Sequence, residues 1–212
     1  LPFNAYLATL SEFLSKGEAE SRLSILLPLE DQWMQDELPQ QKQKPSSRFY
    51  WELQELKIPD ELLVYRPLWF SPLWLKDLVF AQGLLRYKHR TIDALLCQNE
   101  WLTFDSLKHL LELKNLGAPI YFTTIPMQPG TNKHPQYESL TATIRREFPT
   151  HLKPLLKSSQ PLDFWCRRQD DRYFLFISHP GMRKLRYPLL YDYASTLKPI
   201  VVEAVFSTQQ NA

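Results

Sequence analysis

Ser21–Pro28 reads SRLSILLP, a short apolar run closed by proline. A run of this length with no polar alternation is the pattern of a strand covered on both faces, as in a parallel sheet. The decisive reading is therefore a buried parallel strand, and its neighbours in sequence supply the rest of an α/β domain. Upstream, AYLATLSEFLSK (5–16) puts Leu7, Leu10, Phe13 and Leu14 on one helical face, with Gly17 as the stop. Downstream, LEDQWM (29–34) reads as a loop at the strand's carboxyl end, and QQKQKPSS (40–47) as a polar surface excursion.

Further along, Phe49–Leu56 is ambiguous between helix and strand, and Leu62–Arg66 reads as a second strand cut off by Pro67. Ser71 is placed to cap a helix with Pro72 at its first position, running through Leu73, Trp74, Leu75 and Leu78. Gly83–Tyr87, Lys88–Arg90 and Thr91–Cys97 read as a strand, a basic turn and a core strand. Thr103 caps the next helix, whose stripe is Leu107, Leu110, Leu111 and Leu113 and whose end is Gly117. Pro119–Ile125 is a further core strand, Met127–Pro135 a loop and Tyr137–Phe148 an amphipathic helix. After Pro149 the period changes to two: Phe164–Arg168 and Arg172–Ser178 flank Gln169-Asp170-Asp171 as a hairpin, and β-like runs continue over 186–206, clearest at Ile200–Phe206. The expectation is an α/β three-layer domain with a mostly parallel sheet to about residue 150, followed by the start of a β-sandwich.

Composition narrows the chemistry. The chain has 212 residues, 44% hydrophobic and 23% charged, which suits one large globular domain or a domain with an appendage. A net charge of +2 is too balanced to announce a nucleic-acid partner, and Arg183-Lys184-Leu185-Arg186 reads as a solvated turn. The longest stretch without Asp, Glu, Lys or Arg, Asn115–Asn132, is broken by Pro119, Pro126, Pro129, Gly117 and Gly130, so no membrane span is expected. The five glycines are too far apart for a dinucleotide loop, a Walker A loop or a nucleophile elbow. The histidines at 89, 109, 134, 151 and 179 form no HxxxH, and no CxxC exists, so neither a metal nor a cofactor is expected. The opening residue, Leu1, has no basic or cleavable segment after it, and the chain reads as a fragment of something longer.

Ile25-Leu26-Leu27-Pro28-Leu29-Glu30-Asp31-Gln32-Trp33 and the later Trp165–Arg168, Asp171, Tyr173 and Phe174 hairpin carry a resemblance. With the helix–strand–turn–strand–helix–strand order of 71–125 between them, they resemble the region after the catalytic barrel in multidomain glycoside hydrolases of the α-L-rhamnosidase type. The resemblance implies a glutamine-amidotransferase-like, flavodoxin-like domain over 21–150. Residues 1–20 would be the terminal helix of a preceding barrel, and 151–212 a β-hairpin and β-sandwich segment. It also implies carbohydrate and the other domains of the same chain as partners, and a periplasmic or extracellular setting. No catalytic carboxylate is matched, because the family's barrel would precede Leu1. The glycine poverty and the QQKQKPSS insertion depart from the family pattern.

Candidate residues follow from the strand-end rule, by which ligands of open α/β sheets gather outside the carboxyl ends of strands. Glu30, Asp31 and Trp33 lie there as substrate-binding candidates: carboxylates accept hydrogen bonds from sugar hydroxyls, and an indole covers a pyranose face. The competing reading for the three is a capping or interface role. Adjacent carboxylates in an extended loop point apart, which does not suit the acid/base pair of a glycosidase. Cys97, the counterpart of an amidotransferase nucleophile, has no small neighbours and reads as core, as does Cys166. Phe49, Tyr50, Trp51, Trp69, Phe70 and Trp74 form an aromatic group read as packing, with a sugar platform as the alternative. Asp163, Arg167, Arg168 and Asp171 are expected to pair around the hairpin. The functional expectation is a non-catalytic accessory region of an O-glycosidic hydrolase. The alternatives are a free-standing carbohydrate- or protein-binding module and, remotely, a cysteine amidotransferase-like hydrolase.

Overall fold

A computed structural model describes residues 2–34, 58–160, 162–179 and 200–207. The expected excursion at Gln40–Ser47, the segment Phe49–Leu56 with its three aromatics, the basic stretch at 183–186 and the runs over 186–199 lie outside the described residues. In chain order the elements are α1 (Pro2–Ser15), β1 (Glu18–Ala19), β2 (Ser24–Leu26) and α2 (Leu29–Trp33). A 3-10 helix (Asp60–Tyr65), β3 (Leu68–Phe70), a second 3-10 helix (Pro72–Asp77), β4 (Leu78–Ala81), β5 (Leu84–Tyr87), β6 (Arg90–Ile92) and β7 (Leu95–Cys97) follow. Then come α3 (Phe104–Asn115), β8 (Ile120–Phe122), α4 (Tyr137–Thr141), β9 (Leu156–Ser158), β10 (Phe164–Gln169), β11 (Arg172–Ile177) and β12 (Ala204–Phe206). The chain divides into two compact units: Arg22–Gln54 with Pro67–Leu152, and Leu1–Ser21 with Glu55–Arg66 and Lys153–Ala212.

The first unit is built on a parallel sheet in the order β3-β2-β7-β8. Beyond β8 a single parallel bridge joins Phe122 to Arg146, and the Glu147 amide donates to the Phe122 carbonyl at 2.7 Å. Numbered within the sheet, the order is 2-1-3-4 with a vestigial fifth position, the flavodoxin-like arrangement. Ser21–Pro28 supplies the first strand, seated inside the sheet: Ile25 lies opposite Trp69 on one side and Leu96 on the other. Ile25, Leu26, Leu95, Leu96, Cys97, Ile120 and Phe122 are all buried, as strands covered on both faces must be. α3 carries β7 over to β8. Its Thr103 hydroxyl caps the Ser106 amide, its four stripe leucines are buried, and Gly117 closes it with φ +98°.

Five local expectations are corrected, one of them Thr91–Cys97, which forms two strands in different sheets, β6 in an antiparallel one and β7 in the parallel one. Leu29–Trp33 is a short helix, since Pro28 leads into it and Glu30 and Asp31 sit favourably in its first turn. Asp60–Tyr65 is a 3-10 helix where a strand was expected from Leu62, and the second strand is Leu68–Phe70. Arg66, at φ +53°, turns the chain before Pro67. A five-residue apolar run does not distinguish the two structures by itself. The helix capped by Ser71 stops at Asp77, and Leu78 opens a meander, β4-β5-β6. Its first turn, Gln82-Gly83, has positive φ at both residues, the requirement of a tight hairpin. Leu78, Leu85 and Ile92 then enter the same core as Leu95 and Leu107. Finally, α4 ends at Thr141. The hydroxyls of Thr141 and Thr143 bond back to the carbonyls of Glu138 and Leu140, competing with a longer helix.

Among its described residues the second unit contains two antiparallel sheets, β1-β10-β11 and β9-β12. Leu155 and Leu156, Phe164 and Cys166, Leu175, Val202 and Phe206 share one core, so the two sheets pack as the start of a sandwich. The hairpin pairs Phe164 with Ile177 through Gln169 with Arg172, and Asp170 turns it at φ +53°. Arg167 donates to the carbonyls of Lys16 and Gly17, and Arg168 to that of Asp170. The Arg66 guanidinium stacks 3.6 Å over the Trp165 ring, and burial lowers its pKa to about 10. α1 lies in this unit and buries no residue. No helix among the described residues is long and apolar enough to cross a membrane.

Candidate functional site

The switch point of this sheet lies between β2 and β7, whose connections leave in opposite directions. Their carboxyl ends are laced together. The Asn99 side-chain amide donates to the Leu27 carbonyl at 3.1 Å. Asp31 reaches across from α2 and accepts the Trp101 amide at Oδ1 (2.7 Å) and the Glu100 amide at Oδ2 (3.0 Å). The loop after β8 joins the same lacing, with Met127 N donating to Glu100 O (2.7 Å) and Leu102 N to Met127 O (3.0 Å). Tyr137, the first residue of α4, donates its hydroxyl to the Leu102 carbonyl at 2.9 Å.

Glu30 lies within this lacing and is 4% exposed. Burial pushes its carboxyl above the ordinary range, and the Asp31 carboxylate beside it acts in the same direction. Its own amide and that of Thr103 act against the shift. Glu30 Oε2 and Asn99 Oδ1 are fully enclosed and have no hydrogen-bond partner among the described residues. Burial, and then the nearness of Glu30, raises the Tyr137 hydroxyl well above its ordinary value. Trp33, on the same short helix, is 67% exposed.

The three sequence candidates thus share one helix but have different surroundings. Asp31 has both oxygens engaged by backbone amides, Glu30 is enclosed, and Trp33 faces solvent. Asn99 and Tyr137 belong to the same cluster and were not singled out from the sequence. For Asn99 the available signal was a polar residue two places after a core strand. For Tyr137 there was none, because its role depends on where α4 lands. Among the described residues no group of three His, Cys, Asp or Glu side chains is arranged to hold a metal.

Cys97 ends β7 inside the hydrophobic core, and burial raises its thiol far above the ordinary value. The six residues from Gln98 to Thr103 separate it from α3, so no sharp strand-to-helix elbow presents the sulfur. Of the aromatic group, Phe70 and Trp74 meet edge to face, and Tyr87 joins them, stacked on Trp74 with centroids 5.3 Å apart. That is packing geometry. No protein-family model, curated protein or solved structure matches this chain.

Proposed function

We propose that this chain is a non-catalytic accessory region of a glycoside hydrolase of the α-L-rhamnosidase type, an amidotransferase-like α/β domain followed by a sandwich segment. One observation carries the reading. The sheet keeps flavodoxin-like order, yet the cysteine at the end of β7, where an amidotransferase-like enzyme would place its nucleophile, is sealed in the core. The carboxylates of α2 support the same reading. Asp31 is held by two amides and Glu30 is enclosed, so neither stands open across a sugar as acid or base.

Carbohydrate is the proposed ligand, contacted through the exposed indole of Trp33 at the strand ends. Bond cleavage would fall to a barrel elsewhere in the parent enzyme, in a periplasmic or extracellular setting. The same exposed indole fits a free-standing carbohydrate-binding module, and the parent reading frame separates the two. The test uses the 212-residue chain with L-rhamnose, rhamnose-containing oligosaccharides and aryl rhamnosides. Calorimetric binding that Trp33→Ala abolishes, with no turnover, is expected. Turnover that disappears in Glu30→Gln or Asp31→Ala would overturn the non-catalytic assignment, and absence of binding would overturn the carbohydrate assignment.

A further inference from the structure

We propose that Glu30 is a proton-operated latch: protonated, it lets α2 dock against the β7–α3 connection, and ionised, it loosens that docking at the switch point of the sheet. The inference is independent of what the strand ends bind. It rests on the placement of the side chain. Glu30 is enclosed at the centre of a lacing that joins the loops after β2, β7 and β8, and its Oε2 is enclosed without a hydrogen-bond partner among the described residues. A neutral carboxyl tolerates such a place, whereas a carboxylate loses its hydration there.

Among the described residues, the charged and titratable groups that act on it do not compensate. Asp31, on the same helix, is a like charge, and from α4 the Tyr137 hydroxyl interacts with Glu30 as a group that itself resists ionisation. Asp105 in the first turn of α3, Glu138 in that of α4, and Glu100 on the connection are acidic. Among the described residues, Lys133 in the loop before α4 is drawn to the Gln128 carbonyl and the Trp101 ring, and the His134 ring stacks on Phe104. The groups that favour ionisation are two backbone amides, those of Glu30 and Thr103, and desolvation outweighs them.

The sign follows. A carboxyl whose folded pKa is raised stabilises the folded arrangement at pH below its unfolded pKa and loses that contribution as pH rises through the folded value. The docking of α2 is therefore firmest in acid and weakens from the ordinary glutamate range upward. Because Asp31 holds the amides of Glu100 and Trp101, those two amides report the latch.

The experiment is amide exchange of Glu100 and Trp101 from pH 4 to 9, corrected for intrinsic exchange, in the full chain and in Glu30→Gln. In the wild type, protection should fall by about tenfold for each pH unit between the unfolded and folded titrations of Glu30. In Glu30→Gln, which is permanently neutral, it should stay level. Equal pH dependence in the two proteins would overturn the latch. Carbon-13 titration of the Glu30 carboxyl in the wild type tests it without any substitution. A midpoint above the ordinary glutamate range supports the latch, and one within that range refutes it.

Discussion

Asp31 Oδ1 accepts the backbone amide of Trp101 at 2.7 Å, while its Oδ2 takes that of Glu100 at 3.0 Å. One side chain on α2 thereby closes the end of the crevice between β2 and β7, joining segments about seventy residues apart. Two bonds to one charged acceptor are strong by protein standards, so the carboxylate acts as a staple for the strand ends.

Asp31→Ala should therefore destabilise the chain by about 2–3 kcal/mol, the range of hydrogen bonds to a charged group lost from a partly buried site. Urea denaturation followed by far-ultraviolet circular dichroism measures it. Asp31→Asn keeps one acceptor and should recover part of the loss. A stability change within error for Asp31→Ala would remove the staple.

Trp33→Ala should behave in the opposite way. With an indole 67% exposed, its folding stability should shift by no more than about 0.5 kcal/mol, while affinity for rhamnose-containing oligosaccharides falls at least tenfold. A variant that unfolds early and binds normally would make Trp33 a packing residue.

Cys97 and Cys166 are both buried. Labelling of Cys97 by a disulfide reagent at neutral pH should proceed at the rate of unfolding in the native chain and at once in denaturant, because burial raises its thiol. Fast native labelling at Cys97 would return the amidotransferase-like hydrolase to consideration.

Gly17 has φ +55°, and a Cβ there would collide with the Arg168 carbonyl on β10. Gly17→Ala should cost more than the ~1–2 kcal/mol of left-handed strain alone, since backbone cannot yield as a flexible side chain can. Gly130→Ala, with open space around it, should show the strain without the collision. Thermal melts of the two variants compare them directly, and equal losses would contradict the collision at Gly17.

Much of the architecture was legible in order. α3 announced itself through Thr103, four leucines and Gly117, all of which act within a few residues of one another. The parallel strands at Ile25, Leu96 and Tyr121 showed as apolar runs too short for helices. The hairpin around Asp170 followed from alternation and turn chemistry. Where the reading failed, the local signals were evenly balanced. Leu62–Tyr65 is a short apolar run and Leu73–Leu78 a mixed one, and each suits more than one backbone.

The sequence by itself determined the α/β class and the sandwich segment, because these depend on periodicity along one stretch of chain. Only the tertiary structure decided what Glu30, Asp31 and Trp33 are. Three residues of one short helix became an enclosed acid, an engaged carboxylate and an open indole. What separates them is where the loops after β7 and β8 lie, and desolvation and hydrogen bonding are set by such neighbours rather than by the order of residues.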